Sequence, residues 1–361
     1  MAFTLNSYPV TYRAKYLGGK WSDEYLEKPH KAPEAEAAMG AADREKMESS
    51  RNFYDDVPLV NYTSQYGIGC FEGLKAFPRK DGGMAIFRAD RSAARFAKSM
   101  TGLRMPPFPA ETFVEACLET VRRNAKLGFR PQYNPEWEKD LFFTADSVYI
   151  RPFTIAESGV GVNLSQEPWV FVITTPVSSY FSGGSSDAIV TDRIRATPKG
   201  TGWIKATANY AIAALAKHEA EEAGYMECIF LDATHRKYIE EGSSCNIFFY
   251  LKSGELVTPE LGDTILPGIT RASIIELARD KGVKTSERKI SIEEALDEAT
   301  ECFVSGTAAG AVPITSLTWN GRKAVFNGGK VGEFSTEIQT TIKGIQYGTV
   351  SDTKGWMTQV L

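Results

Sequence analysis

Histidine is scarce: the 361-residue chain has three. They are scattered, and HEAEE at 218–222 is not an HExxH pair, so a histidine-based metal site is not expected. There are five cysteines, Cys70, Cys117, Cys228, Cys245 and Cys302. None pairs in a CxxC, which excludes a zinc ribbon or dithiol redox motif, and an odd number closes no disulfide framework. Reduced thiols in a cytoplasmic protein are expected. Basic surplus is missing too: 41 Lys and Arg against 45 Asp and Glu give a net charge of −4. Electrostatics alone therefore drives neither nucleic-acid nor anionic-membrane binding. Aliphatic-aromatic runs such as Trp169 to Ile173 are far short of a membrane span. No apolar signal core opens the chain. Neither GxxxxGK[ST], GxGxxG nor GxSxG occurs. A small-molecule partner is the expectation left.

What is present is an ordinary globular balance, 43% hydrophobic and 24% charged residues. The length suggests two domains. Residues 1–50 are polar and read as a surface arm. From Phe71 to Arg88, FEGLKAF, PRKDGG and MAIFR read as a β-hairpin. Asp90 is the expected cap of a helix over 91–100, with a second helix over 111–127 ended by Gly128. Two strands follow, SVYIRPFTIA and PWVFVITT. The small, polar stretch at 177–187 is the expected interdomain loop, separating residues 1–176 from 188–361. In the second half a helix runs from near Ala208 to Gly224, followed by short strands (ECIFLD, KYIEE, CNIFFYL, ELVTP). Thr270 caps a further helix, and Ser291 with Glu294 forms a capping box. A strand (ECFVSG) and an amphipathic helix through Phe334, Ile338, Ile342 and Ile345 complete the chain.

Lys205 stands out among the lysines. It lies in TPKGTGWIKATANYAIAALA, where small and apolar neighbours would desolvate an ammonium and favour the neutral, nucleophilic amine. Glu240 and Glu241 leave a strand into Gly242-Ser243-Ser244. They are either a solvated turn or a carboxylate placed opposite a cationic ring nitrogen. Leu266-Pro267-Gly268-Ile269-Thr270 runs into a helix start, which suits a phosphate, although simple capping explains Thr270 equally well. Ser305-Gly306-Thr307-Ala308 is a strand end, either a turn or a second phosphate lip.

Together these segments, with Tyr66-Gly67-Ile68-Gly69-Cys70-Phe71-Glu72-Gly73-Leu74-Lys75 and Tyr149-Ile150-Arg151-Pro152, resemble the branched-chain-amino-acid aminotransferases. These are pyridoxal-phosphate enzymes of fold type IV, and the resemblance runs from about Tyr66 to Gly348. It implies an α/β fold with a smaller N-terminal α/β domain and a larger C-terminal pseudo-barrel domain. The active site would lie between them, in a homodimer. It also implies that Lys205 carries pyridoxal phosphate covalently and moves the proton of the substrate Cα. Glu241 would pair with the pyridine nitrogen and Tyr210 with the phenolic oxygen. Arg95, Ile269, Thr270 and Thr307 would hold the phosphate. From periodicity alone, Arg95 is a flank residue beside an apolar stripe. Phe71, Tyr149, Tyr180 and Arg151 would line the substrate side-chain pocket, where packing explains the aromatics as well. Tyr66, Ser244 and Ala308 would surround the α-carboxylate, with Gly242-Ser243-Ser244 departing from the commoner form of that turn. Ala309 and Val312 stand where some relatives carry a CxxC switch, so no such switch is expected. The implied reaction moves the amino group of leucine, isoleucine or valine to 2-oxoglutarate. The rivals are a D-amino-acid transaminase, an aminodeoxychorismate lyase, and a non-catalytic metabolite-binding protein on the same scaffold.

Overall fold

The computed structural model describes residues 5–178, 186–307 and 310–361. The contacts divide the chain into two compact units, Met1–Tyr180 with Ala206–Ala208 and Gly344–Leu361, and Phe181–Lys205 with Asn209–Lys343. The sequence reading leaves 344–361 with the second domain, whereas these residues group with the first. The reason is local pairing: the C-terminal strand Met357–Gln359 runs antiparallel to Met84–Phe87.

The first unit is built on strands β1 (Val10–Leu17), β2 (Lys20–Glu27), β3 (Leu74–Pro78), β4 (Met84–Phe87), β5 (Ser147–Ile155) and β6 (Trp169–Val177). With the C-terminal strand at one edge, the order is C-terminal strand, β4, β3, β5, β6, β1, β2. Its helices are α1 (Pro33–Ala37), α2 (Ala41–Ser50), α3 (Tyr62–Tyr66), α4 (Ala89–Gly102) and α5 (Ala110–Lys126). The expected hairpin is β3–β4, paired Ala76 to Ile86.

The surface arm expected over 1–50 is corrected. Within β1, Val10, Tyr12 and Ala14 are core residues, and the strand is hydrogen-bonded between β2 and β6. Gly18 and Gly19, at φ 59° and 83°, form the two-residue turn that closes β1 on β2. Such left-handed pairs match the strand twist and are the usual chemistry of a tight hairpin, so the signal for this turn is local to Gly18-Gly19. The rest of the segment is fastened as well: buried Arg51 bonds Glu36, the Ser7 carbonyl and the Pro29 carbonyl. Asp90 lies in the first turn of α4 rather than at its cap, which is Arg88 at φ 50°.

The second unit contains β7 (Asp187–Val190), α6 (Asn209–Glu222), β8 (Glu227–Leu231), β9 (Ile239–Gly242), β10 (Asn246–Leu251) and β11 (Leu256–Thr258). It continues with α7 (Ile269–Asp280), β12 (Thr285–Glu287), α8 (Ile292–Glu298), β13 (Ala299–Gly306), β14 (Gly310–Ile314), β15 (Ser316–Trp319) and β16 (Arg322–Val325). Helix α9 (Glu333–Tyr347) spans the division. Two five-stranded sheets result, β12-β11-β10-β13-β14 and β16-β15-β7-β8-β9. They share one core. Ile229, Leu231 and Ile239 of one sheet pack with Ile247, Phe249, Val257, Val304 and Val312 of the other and with Ile292 and Leu296 of α8. Burial of these side chains is the main stabilising term, at roughly 1.5–3 kcal/mol for each large one. Thr270 is not the cap of α7: Gly268 occupies that position, and Thr270 is buried inside the first turn. Ser291 caps α8 through the Glu294 N–H at 3.1 Å, while the Glu294 carboxylate pairs with Arg288, so the expected capping box is only half formed.

Candidate active site

Lys205 ends the first segment of the second unit and is only partly exposed. Its Nζ donates to the Tyr210 hydroxyl at 2.9 Å. Tyr210 is the second residue of α6, so the helix start delivers it back to the lysine. Lysine and tyrosine, five residues apart, are therefore juxtaposed.

The carboxylate pair is resolved by the two faces of β9. Alternate side chains of a strand point to opposite sides, and the neighbours differ accordingly. Glu241 meets the Arg195 guanidinium through Oε1, and its Oε2 accepts from Asn246 Nδ2 at 3.1 Å. Glu240 instead accepts from the Thr264 hydroxyl at 2.6 Å. Both are buried. Burial pushes the Glu241 carboxyl up to about 7 and outweighs the pull of Arg195 in the other direction. A buried carboxyl poised near neutrality would ionise readily once a cation is brought against it.

Asn246 also donates to the Leu266 carbonyl at 3.0 Å, tying β10 to the segment that leads into α7. A Cβ on Gly268 would fall 1.9 Å from Asn246 Oδ1, so only glycine fits at that helix entrance. Ile269 and Thr270 follow as the first two helical residues. Thr307 is half-buried just past β13. Ser244 is exposed in the turn after β9, and the Gly242 N–H closes that turn on the Cys245 carbonyl at 2.8 Å. Beneath it, Glu227 accepts from the Ser243 N–H at 3.1 Å. Ala308 and Tyr180 lie outside the described residues.

The remaining candidates fall in the first unit. Tyr149 and Arg151 share a face of β5, and Arg151 Nη2 donates to the Tyr149 hydroxyl at 2.9 Å. The same guanidinium lies 4.5 Å from the centre of the Phe71 ring. Arg151 Nε is buried with no hydrogen-bond partner among the described residues. The Tyr66 hydroxyl accepts from the Gly161 N–H at 2.8 Å. Arg95 is not a flank residue: it is buried on α4 and grips Glu72 with Nε and Nη2 at 2.7 and 2.8 Å.

Sequence reasoning missed Arg195, Asn246, Thr264, Glu227 and the pairing role of Glu72. Apart from the contact of Asn246 with Glu241, five residues away, each acts through a partner distant in sequence, and nothing in a segment such as Ile194-Arg195-Ala196-Thr197 marks its arginine locally. Among the described residues no cluster of His, Cys, Asp and Glu could hold a metal ion, and no helix is long and apolar enough to cross a membrane.

The donor set fits pyridoxal phosphate. It offers an amine on a tyrosine, a buried carboxyl able to ionise, and an Arg195 Nε that is buried without a partner among the described residues. The comparisons agree. The branched-chain-amino-acid aminotransferase of Mycolicibacterium smegmatis is 38% identical over 307 residues, covering 82% of this chain and 80% of that protein. Branched-chain amino acid aminotransferase 2, chloroplastic, of Humulus lupulus is 38% identical over 300 residues, covering 82% and 70%. The Escherichia coli branched-chain amino acid aminotransferase structure aligns with a TM-score of 0.72 at 30% identity, over 85% of this chain and 95% of that one. The family Amino-transferase class IV matches residues 69–317. The chain therefore belongs to the class IV aminotransferases and, within them, to the branched-chain-amino-acid aminotransferase family.

Proposed function

We propose that this protein transfers the amino group of L-leucine, L-isoleucine or L-valine to 2-oxoglutarate, using pyridoxal phosphate held by Lys205. The observation that carries the reading is the 2.9 Å contact between Lys205 Nζ and the Tyr210 hydroxyl, beside a buried carboxyl on β9. When bound, pyridoxal phosphate supplies an electron sink for the pair left as the substrate Cα–H bond breaks. Lys205 Nζ takes that proton and returns it on the other side of the transfer. Tyr210 orients the amine through its hydroxyl. Glu241 holds the proton of the ring nitrogen, with Arg195 and Asn246 fixing its two oxygens. Thr270, Thr307 and the N–H groups opening α7 are proposed for the phosphate, together with Ile269 and Arg95. On the substrate side, Phe71 and Tyr149 offer apolar faces, and Arg151 offers a charge for the second carboxylate of glutamate. Ser244, Tyr66, Ala308 and Tyr180 complete the proposed set. An apolar pocket separates substrates differing by one methylene by only about 1–3 kcal/mol, so all three aliphatic amino acids are accepted.

A homodimer is part of the reading. Leu59, Val160 and Val162 are 87%, 80% and 88% exposed. Their loops are tied together by the Asn61–Ser158 bridge and by the Gly159 N–H to the Val60 carbonyl. Three exposed aliphatic side chains on bridged loops support a surface covered by a second copy, and sedimentation measures it. The buried, unpaired thiols support a cytoplasmic location.

The test incubates the purified protein with 2-oxoglutarate and either L-leucine or D-alanine. Glutamate from leucine alone is expected. Glutamate from D-alanine alone would make the protein a D-amino-acid transaminase, and a colourless protein inert with both would make it a non-catalytic relative.

A further inference from the structure

We propose that Glu240, acting through Thr264, is a positioning residue for the Arg195–Glu241 pair. The proposal rests on the cofactor role given to Glu241 above.

The connection runs through four residues from three separate segments. The Glu240 carboxyl accepts a hydrogen bond from the Thr264 hydroxyl at 2.6 Å. The Thr264 carbonyl in turn accepts from Arg195 Nη2, the same nitrogen that meets Glu241 Oε1. A weaker contact joins that nitrogen to the Gly202 carbonyl at 3.4 Å. The Thr264 carbonyl is packed tightly from the other side: a Cβ on Gly202, in the segment leading to Lys205, would lie 2.5 Å from it. Thr264 is thus held at both ends, by Gly202 against its carbonyl and by Glu240 on its hydroxyl. Where that carbonyl sits decides where the guanidinium sits, and the guanidinium sets the electrostatic surroundings of Glu241.

The charge arrangement supports this division of labour. Two adjacent buried carboxyls and one arginine would compete for a single cation if both were ionised. Instead Glu240 is given a hydroxyl and Glu241 the guanidinium. Glu240 Oε2 is buried without a partner among the described residues, so the Thr264 hydroxyl on Oε1 is the contact that fixes this carboxyl. Burial raises its affinity for a proton, and Asp232 and Asp263 act in the same direction, while Thr264 and Arg195 oppose it. Glu260, His235 and Lys289 line the same small cavity of about 230 Å³ beside it, with Glu241 next in the chain. The direct contact of the guanidinium therefore goes to Glu241, while Glu240 is engaged by the Thr264 hydroxyl.

The experiment uses the cofactor-loaded enzyme and Glu240→Ala, Glu240→Gln and Thr264→Val. Three quantities are read: the pH midpoint of the bound cofactor's visible absorbance, the dissociation constant for pyridoxal phosphate, and kcat and KM separately. Glu240→Ala and Thr264→Val are expected to move the midpoint by about half a pH unit, roughly threefold in proton affinity. They lower kcat roughly three- to tenfold, the scale of one hydrogen bond, with KM for leucine within about twofold. Glu240→Gln still accepts from the Thr264 hydroxyl and so keeps Thr264 in place, and its midpoint is expected closer to the parental one than that of Glu240→Ala. Unmoved midpoints in Glu240→Ala and Thr264→Val overturn the proposal, as does a Glu240→Gln midpoint displaced as far as that of Glu240→Ala. Should Glu240→Ala not fold, the near-isosteric Thr264→Val decides alone. A parent protein without cofactor absorbance refutes the proposed function itself, whereas a coloured parent with unmoved variant midpoints refutes only the positioning role.

Discussion

Arg95 and Glu72 form a two-point ion pair inside the first unit, with Glu72 entirely shielded from water. A planar guanidinium matched to a carboxylate in this way is not replaceable by the point charge of lysine. Arg95→Lys is therefore expected to lower thermal stability and, on the phosphate role proposed for Arg95, affinity for pyridoxal phosphate as well. Glu72→Gln leaves a buried guanidinium half-paired, at a cost of about 3–5 kcal/mol. Thermal unfolding by circular dichroism measures both. A Glu72→Gln melting temperature equal to that of the parent would remove the pair from any structural role.

Replacing Lys205 with alanine is expected to abolish transamination and leave the far-ultraviolet spectrum unchanged. The side chain contributes an amine to the site and is only partly buried, so little packing is lost. Borohydride reduction of the coloured parent should attach the cofactor at Lys205 and at no other lysine, as read by peptide mass mapping. Turnover within about tenfold of the parent after the substitution, far from the scale of a lost covalent step, would refute the assignment.

Glu241 gives a pH dependence whose sign follows from its environment. Its carboxyl is raised from 4.5 to about 7 by burial. In the cofactor-free protein, between those values, the folded state keeps a proton that the unfolded chain has released. This group's contribution is therefore complete below about 4.5 and is lost as pH rises through about 7. The melting temperature of the stripped protein should fall across that window on this account, and Glu241→Gln should flatten the slope. Binding a protonated ring nitrogen favours the carboxylate, so cofactor affinity is expected to weaken as pH drops below about 7. In the loaded enzyme Glu241→Gln should cost about one to two decades of kcat, the worth of a charge-assisted hydrogen bond. An unaltered slope together with unaltered kcat would show that the other carboxylate carries the role.

Mild oxidation should leave activity intact. Cys70, Cys117, Cys228 and Cys302 are buried, and Cys245 is half-buried with its thiol 3.6 Å from Glu227. Burial raises every one of these thiols above its usual value, so the reactive thiolate is scarce. Aminotransferase activity after hydrogen peroxide, and again after dithiothreitol, measures this. A large loss restored by the reductant would reveal a switch.

The sequence by itself determined the elements whose signals are local. The β3–β4 hairpin follows from its Gly-rich turn, α5 from its apolar stripe, and the Ser291 cap from a hydroxyl three residues before an acidic one. Lys205 was legible because its neighbours are small and apolar over a long stretch. Tertiary structure alone decided the rest. Which of Glu240 and Glu241 meets a cation depends on where Arg195 and Thr264 arrive, because strand alternation separates two adjacent carboxyls but does not say which side holds the arginine. The burial of β1 was equally hidden, since a strand with Arg13 and Lys15 reads as polar until β6 and β2 close on both its edges. Arg95 looked like a flank residue for the same reason. A buried charge is intelligible only with its partner, and Glu72 reaches it from a different element.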